Sequence, residues 1–294
     1  MTPREAGFLL LTSTLGDCRR KVLTDAQLRT LARRSLLLNV DDPNRELALN
    51  DLLSIGYYVE DAERILHLLS GHEQLEWCLQ KGQQSNCYPL TRISEGYPPL
   101  LREKLGLDSP GCLWLKGNRE LLKLPAISLV GNRELMESNA AFAREVGRQA
   151  ALQGYVLVSG NARGADREAQ NACLENGGCV ICVVADKLCD QPNNPGILYI
   201  SESGFDLEFS SQRALHRNAV IHCLGTKVFV AQCQSKSGGT WSGTMNNLRG
   251  KYSPVFCFND GSDTMEALID AGCEGITQMD LLDFSALQNT ISFL

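Results

Sequence analysis

The sequence predicts an α/β protein: a mainly parallel, doubly wound sheet with a small helical domain ahead of it. Three observations carry that expectation. From Ala126 onward, short apolar runs alternate with helix-patterned stretches. Cys179–Val184 is continuously apolar, as a parallel strand covered on both faces would be. Residues 1–84 instead read as helices with capping signatures.

Thr24-x-x-Gln27 and Ser70-x-x-Glu73 both fit a capping box at a helix start. Residues 52–57 followed by 60–66 spell helix, short glycine turn, helix. This suggests a helix-hairpin-helix or SAM-like domain over 1–84. Such a pair can hold a DNA backbone through its turn, or serve as a packing or partner-binding module. Residues 85–125 are richer in Pro and Gly and read as a connector with short strands. Ala126–Val130 is a strand entering Gly131-Asn132-Arg133, and Asn139–Leu152 is a helix. Tyr155–Val158 is the second strand, and Arg167–Glu175 is a helix ended by Gly177-Gly178. Cys179–Val184 is the third strand, followed by an irregular span. Then come the strand Lys227–Ala231, a glycine-rich loop opening a helix over Ser235–Thr244, the strand Val255–Phe258 and the helix Thr264–Asp270. The order is that of a Rossmann-like domain over residues 126–294.

With 294 residues and 44% hydrophobic content, the chain can build a sizeable core. No apolar run approaches the ~20 residues of a membrane span. The patch Phe8–Leu11 lacks the basic flank and cleavage site of a signal peptide. A cytoplasmic protein without membrane association is expected. Its twelve cysteines fit a reducing compartment. Cys179 and Cys182 have CxxC spacing, but on a strand they face opposite ways, so no metal and no cofactor is expected. The net charge of −6 speaks against indiscriminate capture of nucleic acid. Its distribution matters more. Residues 1–125 are net neutral, 126–251 carry +1, and 252–294 carry −7. The acidity lies away in sequence from the glycine loops.

Those loops follow three of the expected strands: Gly131-Asn132-Arg133, Ser159–Asp166, and Ser237-Gly238-Gly239-Thr240. In an open parallel sheet, ligands sit beyond the carboxyl ends of strands, where such loops converge. Glycines let the backbone approach closely, and helix N-termini offer free N–H groups to an anion. A phosphate-bearing ligand is the expectation, against the alternative that the turns only close α/β units. The dinucleotide pattern GxGxxG and the P-loop GxxxxGK[ST] are both absent. No nucleophile–base–acid set stands out that sequence alone would nominate.

The segments resemble, in order, those of the DNA-processing protein A (DprA, or Smf) family. The matching pieces are Tyr97-Pro98-Pro99-Leu100-Leu101, residues 113–118, residues 128–133, Ser159–Asp166, Ser201-Glu202, Arg217-Asn218 and Ser237–Thr240. They span roughly residues 90–275. The resemblance implies a Rossmann-like, homodimeric, non-enzymatic protein that binds single-stranded DNA and presents it to the recombinase RecA in natural transformation. It implies that Arg133, Ser159, Gly160, Arg163 and Gly164 line a phosphate pocket, with Arg217 and Asn218 beside it. Gly131, Asn132, Asp166, Lys236, Ser237, Gly238, Gly239 and Thr240 complete the candidate set. Asp166 can alternatively cap its helix, Arg217 can be a surface or capping arginine, and Lys236 a solvated loop lysine. Three departures stand out. Arg217-Asn218-Ala219 replaces the usual RNR, Gln170 stands where a His is usual, and 190–200 lacks the usual Tyr-Pro pair. Too few residues follow position 275 for the winged-helix domain of many members.

Two other readings compete. A nucleotide sensor or phosphoribohydrolase of the lysine-decarboxylase-like (LOG) kind would share the glycine-rich loop. Those hydrolases place a glutamate after it, whereas Met245-Asn246-Asn247 carries no carboxylate here. A scaffold acting through its N-terminal helices is the other.

Overall fold

The computed structural model describes residues 1–294 except 18, 39–44, 203, 235–236 and 288–294. The chain forms two compact units, residues 1–97 with 110–113, and 98–109 with 114–294. The stretch 85–125, expected as a connector, is thus divided between them.

In the first unit, α1 (Pro3–Thr12), α2 (Asp25–Ser35), α3 (Leu49–Ser54), α4 (Val59–Leu69) and α5 (His72–Gln84) are followed by β1 (Tyr88–Thr91). Thr24 forms the expected capping box with Gln27 at the start of α2. Ser70 does not form one. It ends α4, donating its hydroxyl to the His67 carbonyl at 3.0 Å, and Gly71 precedes α5. Gly56, at φ +88°, makes the turn between α3 and α4. Leu11, Leu31, Leu52, Ile65 and Leu68 meet in this unit's core.

The second unit contains α6 (Pro99–Leu105), β2 (Cys112–Gly117, entering the unit at Trp114), β3 (Ala126–Val130), α7 (Glu137–Leu152), β4 (Val156–Ser159), α8 (Ala165–Glu175), β5 (Val180–Val183) and β6 (Ile197–Ser201). It continues with α9 (Ser211–Leu224), β7 (Val228–Val230), α10 (Gly238–Gly250), β8 (Val255–Phe258), α11 (Asp263–Asp270) and β9 (Glu274–Ile276). The strands lie in the order β2-β6-β5-β4-β3-β7-β8-β9. All neighbouring pairs are parallel except β2 with β6. β3 through β5 are buried along their whole length, which explains their unbroken apolar character.

The span after Val184 was expected to be irregular, yet it holds β6 and α9. Ser210 caps α9, accepting the Arg213 N–H at 3.1 Å. Arg217 and His222 interrupt the apolar stripe of α9 but are both buried, so its pattern hides a core helix.

The chain leaves β3 toward β4, β5 and β6 on one side. It then returns through α9 to β7 on the other side of β3. The winding therefore reverses between β3 and β7. Loops leaving these two strands diverge and open a crevice at their carboxyl ends. No helix among the described residues is long and apolar enough to cross a membrane.

Candidate functional site

A cleft of about 760 Å³ occupies that crevice. The loop after β3 supplies Gly131, Asn132, Arg133 and Glu134. The loop after β4 supplies Ala162, Arg163 and Asp166, α9 supplies Arg217, Asn218 and His222, and the first turn of α10 supplies Gly238, Gly239 and Thr240. Phe209 and Leu215, both about half exposed, add an apolar side.

The β4–α8 turn is built around Gly164, at φ +86° and ψ −129°. A Cβ there would lie 2.4 Å from the Asn132 carbonyl oxygen, which accepts the Ala165 N–H at 3.0 Å. This contact ties the loop after β3 to the start of α8. Asp166 is 6% exposed, and one carboxylate oxygen accepts the N–H groups of Gly160 and Ala162, each at 3.1 Å. Burial pushes its carboxyl pKa up, while Arg217 and the two N–H groups oppose the rise. Asp166 thus buttresses its own loop from within, rather than capping the helix end.

Arg217 is 8% exposed and donates through Nη1 to the Val183 carbonyl at 2.9 Å. A Cβ on Gly160 would fall 1.5 Å from that nitrogen, so glycine is required where the guanidinium crosses the loop. Burial lowers the Arg217 pKa from its ordinary value, and Asp166, Asp186 and Glu202 counter that effect. Glu202 lies nearby and is half-buried, its carboxyl pushed up to about 7 by desolvation against the pull of Arg213 and Arg217. Asn218 donates through Nδ2 to the Gly239 carbonyl at 3.1 Å and joins α9 to α10.

The sequence of residues 89–280 matches the family model of DNA recombination-mediator protein A. The chain belongs to that family. It is 30% identical to DNA processing protein DprA of Streptococcus pneumoniae over 263 residues, 81% of this chain and 86% of the relative. It is 26% identical to protein Smf of Escherichia coli, covering 77% of this chain and 63% of that one. The X-ray structure of the pneumococcal DprA is similar with a TM-score of 0.73 and 25% identity, covering 98% of this chain and 99% of that one. A Helicobacter pylori DprA structure, 23% identical with a TM-score of 0.56, shares the fold over 67% of this chain and 94% of its own.

In this member, the sequence-predicted residues divide into three groups. Gly131, Asn132, Arg133, Arg163, Asp166, Arg217, Asn218, Gly238, Gly239 and Thr240 line the cleft. Ser159, Gly160 and Gly164 support it from behind. Ser159 is fully buried, and its hydroxyl accepts from Gln170 Nε2, so that side chain does not face a ligand. Gln170, at the family's usual His position, therefore reaches back to the β4 terminus. Ser237 is the N-cap residue of α10. Lys236 lies outside the described residues.

The two outer arginines are solvated. Arg163 sits 3.4 Å from Glu134 in a pair whose side chains are 77% and 75% exposed, and such a pair adds little stability. Arg133 lies 6.0 Å from the centre of the Phe209 ring. The residue that sequence reasoning missed is His222. It is buried on the cleft and shares no ligand-type spacing with His67, His72 or His216.

Proposed function

We propose that the cleft binds the backbone of single-stranded DNA, and that the protein acts in DNA processing by holding DNA rather than transforming it. One observation carries this reading. Arg133, Arg163 and Arg217 converge with the N-terminus of α10 at the winding reversal, where the buried donors Arg217 Nε and Asn132 Nδ2 have no partner among the described residues. A strand of phosphates supplies acceptors to such groups without any reading of sequence. Exposed Phe209 offers a surface for a base to stack on. The solved Helicobacter pylori relative is described as binding single-stranded DNA. Asp166, a carboxylate of the cleft wall, is engaged by two backbone N–H groups, which favours binding over acid–base chemistry. The family resemblance extends the proposal to a homodimer that hands DNA to RecA in the cytoplasm.

Fluorescence anisotropy with a labelled oligothymidylate across a salt series tests the reading. Affinity should fall with salt, and Arg133→Ala and Arg163→Ala should each reduce the logarithmic slope by ~0.7, the value for one phosphate contact on a single strand. An absence of binding at low salt would refute it. Sedimentation with and without DNA, and capture by purified RecA, test the two extensions separately.

A further inference from the structure

Phe209 stands half exposed on the cleft, and one residue that does not line the cleft holds the chain on both sides of it. That residue is Arg213, in the first turn of α9. Its backbone N–H donates to Ser210 Oγ at 3.1 Å, which fixes the residue after Phe209. Its side chain turns back over the residues before Phe209. Nη1 lies 2.8 Å from the Leu207 carbonyl oxygen and 2.7 Å from that of Glu208. The same nitrogen reaches the Ala185 carbonyl oxygen at 2.5 Å, and Nη2 donates to Ser201 Oγ at 3.0 Å. Ala185 lies just past β5, and Ser201 ends β6. A single guanidinium therefore pins residues 207–208 to the ends of two strands.

The planar fork suits this task. A lysine would present one point charge on a flexible stem and could not meet these carbonyls and the hydroxyl together. Arg217 follows one turn later on the same face of α9 and donates to the Val183 carbonyl at 2.9 Å, two residues before Ala185. The two arginines thus grip alternate carbonyls where the chain leaves β5. Burial lowers the Arg213 pKa, and Glu202 and Asp186 oppose that effect. The tasks of the two differ, because Arg217 lines the cleft and Arg213 does not. The Lys187–Glu208 ion pair on the same stretch has a carboxylate 81% exposed and adds little hold.

We propose that Arg213 is a positioning residue of the DNA site: it fixes Phe209 where a base of the bound strand stacks on the ring, and touches no DNA itself. This role rests on the DNA reading. A half-exposed ring on an untied segment must be ordered when the strand arrives, at a cost in entropy that is taken from affinity. Tying the chain before and after Phe209 removes that cost in advance. Arg133, 6.0 Å from the ring centre, sets a cation for a phosphate beside the surface for a base.

The test uses the full chain and two labelled strands of equal length, oligothymidylate and its abasic counterpart, followed by anisotropy across a salt series. Wild type should prefer the strand that carries bases. Phe209→Ala should weaken oligothymidylate binding about tenfold and leave the abasic strand nearly unaffected. Arg213→Lys should weaken oligothymidylate binding about three- to tenfold, with the abasic affinity and the salt slope unchanged. Combined with Phe209→Ala, it should add no further loss. If Arg213→Lys does not fold, Ser201→Ala removes one acceptor of the guanidinium and should reduce the preference for bases in the same direction. Equal losses on both strands, an additive loss in the double variant, or a slope lowered by ~0.7 as for a lost phosphate contact would each overturn the role of Arg213 and leave the DNA reading standing. A wild type without preference for bases overturns it too, because no base then stacks on Phe209. No binding of either strand at low salt overturns the DNA reading itself, and the positioning role with it.

Discussion

Replacing Gly164 by alanine attacks the turn that joins the two main loops of the cleft. Two separate costs follow. At φ +86° and ψ −129° an L side chain is strained, at about 1–3 kcal/mol. The new Cβ would also stand 2.4 Å from the Asn132 carbonyl oxygen and 2.5 Å from that of Arg133. Both are backbone atoms and cannot rotate away. Forcing them apart is an overpacking cost of about 1–3 kcal/mol. The sum is about 4 kcal/mol, a large part of the 5–15 kcal/mol typical of a domain. Gly177 provides the control. Its φ is +77°, but a Cβ there would meet nothing within 4 Å, so Gly177→Ala should cost only about 1–2 kcal/mol. Urea unfolding of wild type and both variants gives the comparison. Gly164→Ala should also weaken DNA binding, because the Ala165–Asn132 bond at 3.0 Å fixes the loop that carries Arg133. Equal destabilisation by the two variants would show that the close approach of backbones is not what holds this turn.

Three further outcomes follow from ionisable groups in and near the cleft. Asp166→Ala removes the acceptor of two loop N–H groups and the foremost of the three carboxyl groups that offset the burial of Arg217, so urea unfolding should show a loss of about 3 kcal/mol. His222 is held neutral down to about 4, against 6.5 when unfolded, so the unfolded chain takes up its proton first as pH falls. Its contribution is intact above pH 6.5 and should decline by about 3 kcal/mol between pH 6.5 and 4, a decline that His222→Phe should flatten in stability measured against pH. Glu202 works in the opposite sense. Its folded pKa is raised from 4.5 to about 7, so stability is lost as pH rises through that window. Glu202→Gln should raise the unfolding midpoint at pH 8 and leave it nearly unchanged below pH 4.

The strands β3, β4, β5 and β7 were legible because each is a short apolar run that the fold buries whole. The glycine loops were legible because turn chemistry is local. β6 and α9 were not, and the reason is physical. α9 buries Arg217 and His222, two residue types that normally signal surface, so its periodicity is broken by the residues the cleft employs. Asp166 shows a related limit. Its place at a helix start suggested an ordinary cap, but its partners, Gly160 and Ala162, lie back in the loop. Ser70 erred for a simpler reason: its capping pattern was present, but Gly71 stands between it and α5, and Ser70 itself ends α4. The burial of His222 carries no sequence signal, because it depends on α10 packing over α9, where Asn247 Nδ2 meets His222 Nδ1 at 3.1 Å.

An acidic chain can still hold a polyanion if its charges are placed rather than balanced. The cleft is lined by Arg133, Arg163 and Arg217 together with Glu134 and Asp166. Asp166 is directed into its own loop, and Glu134 faces Arg163 at the rim, so the cation left deepest is Arg217. The net −7 of residues 252–294 begins near β8 and continues through α11 and β9. β9 lies two strands beyond β7, about 10 Å across the sheet. That separation exceeds a Debye length of about 8 Å at physiological salt, where repulsion from this edge is largely screened. The contacts inside the cleft are shorter and partly buried, and are screened much less. Local attraction therefore outweighs distant repulsion at physiological salt. As salt is lowered further, the edge regains reach, and the anisotropy series should show its slope flatten below about 0.01 M, where the Debye length grows to about 30 Å. Neutralising Asp263 and Glu266 of α11 together should restore a straight line, and a slope that stays straight in wild type would show that the acidic edge does not reach the bound strand.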